Sequence, residues 1–247
     1  MDTPPYLSLV IPAFNESGRL LTTLQRCIAR LDECVPSWEI LVVDDGSRDS
    51  TRDIAMEVAG RDGRVRLIPA AHGGKGAAVR RGMLAARGRW RFFADADLSM
   101  DLSQLPDFLA AGADIAIASR EAKGAQRIGE PLSRHLLGRL FNLTVRLVAL
   151  PGIRDTQCGY KLFSDRAVQQ LFAAARIDGF AFDVEILFLA RRAGFQIREV
   201  PVTWHHRPGS RVRLRAGLAA FLQVVQIRWN DLLGRYDTAF RGAHRPA

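Results

Sequence analysis

The sequence predicts an α/β fold built on a mostly parallel sheet with helices on both faces. Short apolar runs alternate with segments of helical periodicity, in units of about 20 to 30 residues, as in doubly wound sheets. Acidic and glycine-rich loops follow the apolar runs, which is where open α/β sheets place their ligands. With 247 residues, the chain can bury a substantial core as one domain or as one domain with an appended subdomain.

The composition is that of a globular protein, with 48% hydrophobic and 25% charged residues. The N-terminus carries Asp2 and no basic lead before its first apolar run, so we expect no secretory signal. No apolar run reaches the roughly 18 residues of a membrane span. The cysteines Cys27, Cys34 and Cys158 lack the paired short spacing of a zinc site, so we expect free core thiols in a reducing compartment.

The elements follow in a regular order. The first strand is predicted over residues 6–11, and we expect Pro12 to end it because proline cannot donate a hydrogen bond within a sheet. Further strands are predicted at residues 38–43, 65–68, 90–94, 115–118 and 195–203. Helices are predicted at residues 17–31, 49–59, 77–86, 131–150 and 214–232.

An acidic triplet, Asp95, Ala96 and Asp97, follows the predicted strand at residues 90–94. Residues two apart on an extended segment point the same way, so both carboxylates can converge on one cation, while Ala96 keeps the middle position small. Carboxylate oxygens suit Mg²⁺ or Mn²⁺, which keep positions open for water and phosphates. We therefore hypothesise a metal and diphosphate site. The triplet alone leaves open that these acids simply cap the next helix.

Other polar loops also follow predicted strands, so their side chains should meet on one rim of the sheet. These residues are Glu16, Asp44, Asp45, Lys75, Asp95 and Asp97. The glycine-rich loop at residues 73–76 leads into a helix and could bring backbone N–H groups and the Lys75 ammonium to a phosphate. The loop is not a P-loop, because the GxxxxGK[ST] spacing is absent, with Ala77 after Gly76. It also lacks the strand-linked GxGxxG motif of a nicotinamide enzyme.

Two later motifs carry further charges. DTQCGYKLF is a compact polar loop that enters a strand, and its Lys161 could reach an anion. In FDVEILFL, Asp183 and Glu185 are costly to bury without partners, so we expect at least one to face the site. The alternative is an ion pair with Arg191 or Arg192.

Positive charge is concentrated in two blocks. Residues 120–146 hold six basic and two acidic side chains, and residues 205–247 hold eight and two. This asymmetry favours an anionic partner such as a membrane surface, a phosphate or a nucleic acid, although an Arg-rich solvated surface is an alternative. The helices at 131–150 and 214–232 carry leucines at helical spacing beside arginines, and Trp229 lies in the second. Such helices bind membrane interfaces, or pack on the domain or on a membrane subunit.

The motifs LVIPAFNE, EILVVDDGSRDST, GGKG, FFADADLS, ASR, DTQCGYKLF and FDVEIL occur in this order. In order and spacing the set resembles family 2 glycosyltransferases of the GT-A fold. Within that family it is similar to the polyprenyl-phosphate hexosyltransferases, meaning dolichyl-phosphate β-glucosyltransferases and their mannosyltransferase relatives. The likeness covers approximately residues 7–211.

The resemblance implies roles for particular residues. A nucleoside diphosphate sugar would be bound by Pro12, Ala13, Glu16, Asp44, Asp45, Lys75, Asp95, Ala96, Arg207 and Arg211. The acceptor phosphate would contact Arg120 and Arg134, and the Mg²⁺ or Mn²⁺ ligands would be Asp95, Asp97 and Ser99, the last where some relatives have glutamine. Catalysis would depend on Asp97, on Lys161 near the diphosphate, and on Asp183 as a base or as an orienting group.

The implied enzyme is an inverting transferase that moves glucose from UDP-glucose to a polyprenyl phosphate, peripherally on the cytoplasmic face of a membrane. Alternatives are a GDP-mannose-dependent enzyme, a transferase with a soluble glycan acceptor, and a noncatalytic nucleic-acid-binding protein, for which no RNA-binding motif is present. The implied organisation is a catalytic domain at 1–211, with a nucleotide-sugar half to about residue 120 and an acceptor half at about 121–211. An amphipathic helix at 212–237 and a loose tail at 238–247 follow.

Overall fold

A computed structural model describes residues 3–129, 132–205 and 214–237, without the side chains of residues 132–137 and 214–218. Three predicted site residues therefore lie outside the described part: Arg207 and Arg211 entirely, and Arg134 in its side chain. The predicted tail at 238–247 also lies outside it.

The fold is an α/β sandwich around a mostly parallel sheet, as predicted. Within the described residues, seven strands form the sheet in the order β3-β2-β1-β4-β7-β5-β8, and β7 alone among them runs antiparallel to its neighbours. These strands are β1 (Leu7–Ala13), β2 (Trp38–Asp44), β3 (Val65–Pro69), β4 (Trp90–Phe93), β5 (Ile115–Ser119), β7 (Lys161–Ser164) and β8 (Ile197–Pro201). A small second sheet pairs β6 (Gln126–Ile128) with β9 (Thr203–His205).

Helices cover both faces of the sheet, because alternate strand residues point to opposite sides. Leu9 belongs to the core on the side of α1, α2 and α4, and Val10 to the core on the side of α3 and α5–α8. The helices are α1 (Leu20–Cys34), α2 (Thr51–Arg61), α3 (Lys75–Ala85), α4 (Leu105–Leu109), α5 (Leu132–Val148), α6 (Asp165–Ala174), α7 (Phe182–Arg192) and α8 (Leu214–Leu232).

Several predicted boundaries were wrong. Pro12 does not end β1, which continues to Ala13. The strand tolerates proline there because β4 pairs with β1 only as far as Val10, so Pro12 has a strand neighbour in β2 alone. The predicted strand at 195–203 is two strands, β8 and β9, which join different sheets. The strand expected at the end of DTQCGYKLF is β7, whose antiparallel direction was not predicted, and α6 was not predicted either.

The cysteines match the expectation of free thiols. Cys27 and Cys158 are buried and Cys34 is partly buried, and all three are unpaired in the structure. Burial raises the pKa of Cys27 and of Cys158 to about 12, which leaves both thiols protonated and unreactive. Among the helices that the structure describes, none is both long enough and apolar enough to cross a bilayer.

Candidate active site

The carboxyl ends of β1, β2 and β4 lie side by side and form a common edge, which we call the carboxyl edge. Ala13 is in register with Asp44, and the N–H of Asp45 donates to the carbonyl of Ala13 at 2.9 Å. In the loop after β4, the carbonyl of Ala96 accepts from the hydroxyl of Thr23, at the start of α1, at 2.7 Å. The loops after all three strands are therefore held close together, as the sequence predicted.

Asp44 and Glu16 are both fixed by nearby cations. Asp44 is fully buried, accepts from the Ser47 N–H at 3.0 Å, and pairs with the Arg52 guanidinium at 3.1 Å. Glu16 pairs with Arg19 at 2.8 Å. These contacts hold the loops after β1 and β2 in one arrangement without any ligand.

Asp45 joins the loop after β2 to the glycine-rich loop. Its carboxylate accepts from the N–H groups of Gly73 at 2.8 Å and Gly74 at 3.0 Å, and lies 2.8 Å from Nδ1 of His72. The His72 ring stacks on Phe14 from the loop after β1, with centroids 4.4 Å apart. No role was predicted for His72 or Phe14 from the sequence, although both lie in loops that follow predicted strands.

The glycine-rich loop does not present its backbone N–H groups to a phosphate as predicted. Gly73 and Gly74 donate to Asp45, and the N–H groups of Gly76 and Ala77 both donate to the carbonyl of Asp178. That interpretation was wrong because long-range partners already satisfy these donors. The loop's contribution to the carboxyl edge is the ammonium of Lys75.

Lys75 pairs with Asp95, one of the two predicted metal ligands. Their charged atoms are 2.6 Å apart. Burial lowers the pKa of Lys75, but the negative charges of Asp95, Asp183 and Asp97 outweigh this and raise it above its ordinary value. Lys75 is therefore a permanent cation beside the acidic triplet.

The segment after β4 carries the two predicted metal ligands, Asp95 and Asp97. The Asp97 carboxylate accepts from the N–H of Ser99 at 2.9 Å, and Ser99 is buried. Within the described residues no group of three or more His, Cys, Asp or Glu side chains is arranged for a metal ion. A small protein ligand set based on Asp95 and Asp97 fits Mg²⁺ or Mn²⁺, which commonly take their remaining ligands from water and substrate phosphates.

Gly159 leaves the space that the Asp95 carboxylate occupies. A Cβ atom at this position would lie 2.2 Å from Oδ2 of Asp95, closer than any side chain tolerates. Gly159 lies inside the motif DTQCGYKLF, and no role was predicted for it from the sequence. A glycine within a polar motif was the available signal, but its partner could be found only from the fold.

Lys161 and Asp183 form a buried ion pair next to this group. Lys161 begins β7, and its Nζ lies 2.7 Å from Asp183 on α7 and donates to the carbonyl of Cys158 at 2.6 Å. Both side chains are almost fully buried. Burial raises the pKa of Asp183, and the nearby Lys161 and Lys75 offset part of that rise. The alternative pairing of Asp183 with Arg191 or Arg192 was wrong.

Glu185, the second acid of that motif, points away from Lys161 and binds the C-terminal segment. Its carboxylate accepts from the Tyr236 hydroxyl at 2.6 Å and from the N–H groups of Arg176 and Ile177 at 2.9 and 2.8 Å. Arg192 instead pairs with Asp231 and Asp237. Glu185 thus connects α7 to the chain after α8.

Arg120 is held by Asp155 at the carboxyl end of β5. The guanidinium donates from Nε and Nη2 to the two carboxylate oxygens at 2.7 and 3.0 Å, and the Arg120 N–H adds a third bond at 3.1 Å. Burial would raise the pKa of Asp155, but Arg120 lowers it to about 2. The guanidinium carbon also lies 5.5 Å from the ring centre of Trp204. Arg120 is therefore positioned before any ligand arrives.

This chain is similar to known proteins in both sequence and fold. The model of the family described as glycosyl transferase family 2 matches residues 8–172. The dolichyl-phosphate β-glucosyltransferase of Saccharomyces cerevisiae is 36% identical, over 95% of this chain and 78% of the yeast protein. The enzyme of the same name from Drosophila melanogaster is 38% identical, over 85% of this chain and 71% of its own length.

Solved structures agree on the fold. Glucosyl-3-phosphoglycerate synthase from Mycobacterium tuberculosis, crystallised with Mn²⁺, UDP and glucosyl-3-phosphoglycerate, superposes with a TM-score of 0.64 at 21% identity, covering 94% of this chain and 80% of that one. Mannosyl-3-phosphoglycerate synthase from Rubrobacter xylanophilus gives a TM-score of 0.66 at 21% identity, covering 94% and 75%. The chain has the GT-A fold, belongs to glycosyl transferase family 2, and is a glycosyltransferase.

Proposed function

We propose that this glycosyltransferase moves a hexose, glucose from UDP-glucose in the first instance, onto the phosphate of a polyprenyl lipid at a membrane surface. The observation that carries the proposal is the carboxyl edge, where three loops bring carboxylates and Lys75 together beside the buried Lys161. The relatives that are 31–38% identical are dolichyl-phosphate β-glucosyltransferases, and they suggest the acceptor and the sugar.

The donor would lie along the carboxyl edge. Its base and ribose would contact Pro12, Ala13, Glu16, Asp44 and Asp45, with Lys75 beside the nucleotide and Ala96 leaving room next to the ribose. Asp95 and Asp97, with Ser99, would hold Mg²⁺ or Mn²⁺. A bound divalent ion would supply charge neutralisation to the departing diphosphate. Lys161, Arg207 and Arg211 would add positive charge on the same side.

The reaction would be an in-line displacement. An oxygen of the lipid phosphate attacks the anomeric carbon and forms the new C–O bond. The bond from that carbon to the diphosphate oxygen breaks, and its electron pair leaves with the diphosphate. Attack from the opposite face inverts the anomeric centre, so an α-linked donor gives a β-linked product.

No strong general base is required for this chemistry. A phosphate monoester, with a second pKa of about 6, is largely dianionic at neutral pH. Asp183 is engaged by Lys161 at 2.7 Å, which favours an orienting role over proton abstraction. We therefore assign Asp183 to holding the Lys161 ammonium in place near the diphosphate.

The acceptor would approach from the side of β5 and α5. Arg120, fixed by Asp155, and Arg134 would bind its phosphate. Next to Arg120 in the chain, Glu121 borders a cavity of about 330 Å³ whose lining also includes Arg139, Leu140, Asn142, Leu143, Arg146 and Arg154. A surface that mixes guanidinium groups with leucines suits a ligand with a phosphate head and a hydrocarbon tail.

The membrane surface would contact the outer face of α5 and α8. These helices pack together through Phe141 and Phe221, whose rings are 5.0 Å apart. Their outward side chains form the outer face, consisting of Leu140, Leu143, Leu147, Leu222, Val225, Trp229, Leu232 and Leu233, all at least 49% exposed. An exposed apolar patch with arginines nearby is typical of an interfacial membrane contact, or of contact with a membrane subunit.

The test is a donor and acceptor screen with the intact chain. UDP-glucose and GDP-mannose are each offered with a polyprenyl phosphate in vesicles and with soluble glycans, with and without Mg²⁺ or Mn²⁺. We expect a metal-dependent glucosyl lipid with a β linkage. Transfer to soluble glycans alone, or from GDP-mannose alone, would replace the proposed acceptor or donor. Salt-dependent binding of nucleic acid without binding of a sugar nucleotide would overturn the enzymatic proposal.

The matched variants are Asp97→Ala and Asp107→Ala. Asp107 is an exposed acid on α4, so its loss should leave turnover unchanged. Asp97→Ala should lower turnover by about 10³-fold or more, since it removes the charge that orients the diphosphate end of the donor. Both variants should unfold at the wild-type temperature. Equal turnover in the two would remove Asp97 from the metal role.

A further inference from the structure

A second basic site lies on the α3 and α6 side of the molecule, outside the carboxyl edge. It is a cavity of about 650 Å³, which we call the arginine cavity. Three alanines at residues 173–175 line it together with three arginines and two glutamines. The arginines are Arg80, Arg176 and Arg235, and the glutamines are Gln169 and Gln170. Its described lining contains no acidic residue. Neither the proposed donor nor the proposed acceptor uses this cavity.

Backbone and amide oxygens hold the three guanidinium groups in place. Arg80 donates from Nη1 to the carbonyl of Ala175 at 2.7 Å, and Arg176 donates from Nη2 to the carbonyl of Arg235 at 3.0 Å. Arg235 donates from Nη1 to Oδ1 of Asn230 at 2.9 Å. These neutral acceptors fix orientation without neutralising charge. Asp178, half exposed and 3.2 Å from Arg80, and the Glu185 carboxylate, which also interacts with Arg80, offset part of the three positive charges.

The cavity therefore combines excess positive charge, prearranged donors and the volume of a small-ligand site. Guanidinium groups present paired N–H donors that match phosphate oxygens, and nearby glutamine amides add neutral donors. A volume of this size exceeds that needed for a bare ion and falls within the range of small-molecule pockets. We propose that the arginine cavity binds the phosphate group of a phosphorylated molecule, either a soluble one or a lipid headgroup.

Occupancy would also affect the catalytic side of the molecule. Ala175 and Arg176 begin the segment 175–178, and the carbonyl of Asp178 at its end accepts from the N–H groups of Gly76 and Ala77. Those residues open α3, directly after Lys75. A phosphate bound to Arg80 and Arg176 would stabilise this segment and, through it, the start of the helix that carries Lys75.

The test compares four proteins, the wild type and three variants, by thermal unfolding at constant ionic strength, with inorganic phosphate or chloride. Gln169→Glu places a competing carboxylate in the cavity without removing a packed side chain, because Gln169 is exposed. Gln25→Glu makes the same change on the exposed face of α1, across the sheet. At ten times Kd, phosphate should raise the Tm of the wild type and of Gln25→Glu by roughly 3 to 6 °C.

In Gln169→Glu the phosphate-dependent rise should fall to less than half. Arg235→Gln, which removes one exposed cation, should reduce it as well and serves as a second variant if Gln169→Glu folds poorly. A rise of equal size in all four proteins would place the phosphate elsewhere, for example at the carboxyl edge, and would overturn the proposal. Absence of any rise in the wild type would overturn it too.

Vesicles then identify the source of the phosphate. Flotation is compared for vesicles of phosphatidylcholine with and without phosphatidic acid. If Gln169→Glu weakens binding to phosphatidic acid vesicles and Gln25→Glu does not, the ligand is a lipid headgroup. If the two variants bind equally after the thermal test has succeeded, a soluble phosphorylated molecule is supported.

Discussion

The carboxyl edge and the outer face of α5 and α8 differ in where they place charged and apolar side chains. At the carboxyl edge, charges are paired: Lys75 and Asp95 are partly buried, and Lys161 and Asp183 are almost fully buried. On the outer face, apolar side chains such as Leu147 at 77% and Leu222 at 68% are left exposed. Burying charge and exposing hydrocarbon both cost free energy, so stability alone explains neither region, in line with the donor and membrane contacts that we propose for them.

The largest effect should come from breaking the pair at the carboxyl edge. Lys161→Met leaves Asp183 buried without its nearest cation, and we expect a loss of about 3 to 5 kcal/mol in the free energy of unfolding at pH 7. Because the folded-state pKa of Asp183 is already raised, the variant should regain stability as the pH falls and Asp183 becomes neutral. Chemical denaturation across pH measures both effects.

The double variant Lys161→Met with Asp183→Leu separates folding from function. It should recover most of the lost stability and remain inactive, since the ammonium near the diphosphate is gone. Removing the exposed pair of Glu57 and Arg61 on α2 should cost no more than about 1 kcal/mol. Restored turnover in the double variant would show that the buried pair is purely structural.

Gly159→Ala tests whether the position of the Asp95 carboxylate matters. The added methyl group would occupy the place of Oδ2 and displace the carboxylate. A misplaced site group can cost about 100-fold in turnover, equivalent to about 2.7 kcal/mol of activation free energy. Gly60→Ala on α2 is the matched control, because nothing lies within 4 Å of its Cβ. If both variants keep full turnover, the Asp95 position is not critical.

Asp155→Asn tests how Arg120 is held. The pKa of Asp155 is about 2 in the folded protein, below its unfolded value near 3.9, so its ionised form stabilises the fold above pH 4. That contribution, about 2.5 kcal/mol, is lost as the pH falls from 4 to 2. The stability gap between wild type and variant should therefore be largest near pH 6 and narrow toward pH 2. A gap that stays constant with pH would contradict the pairing.

The smallest effect is expected on the outer face. Trp229→Ser should lower the affinity for anionic vesicles by about tenfold, equivalent to about 1.4 kcal/mol, because the exposed indole would enter the membrane interface. The free energy of unfolding of the Trp229→Ser variant should differ from that of the wild type by less than about 0.5 kcal/mol. Leu21→Ser, on the exposed side of α1, should not alter vesicle binding. Equal binding by all three proteins would remove the contrast between the two regions.

Much of the site was predictable from local pattern. The acidic and glycine-rich loops that follow strands predicted that Glu16, Asp44, Asp45, Lys75, Asp95 and Asp97 would share one edge. The parallel pairing of β1, β2 and β4 brings together the loops that carry the acids, and the ion pair with Asp95 adds Lys75. The backbone donors of the glycine-rich loop were assigned wrongly, because their acceptors, the Asp45 carboxylate and the Asp178 carbonyl, are distant in sequence. The assignment of individual residues to donor, acceptor and metal remains a prediction.

By itself the sequence determined the fold class, the family motifs and the edge on which they meet, because strand periodicity and the loops after strands are local properties of the chain. Only the tertiary structure decided which charges pair. Strand β7 enters the sheet antiparallel between β4 and β5 and brings Lys161 next to Asp183 on α7. A buried charge selects its partner by distance in space, and hydrophobic periodicity carries no information about that distance.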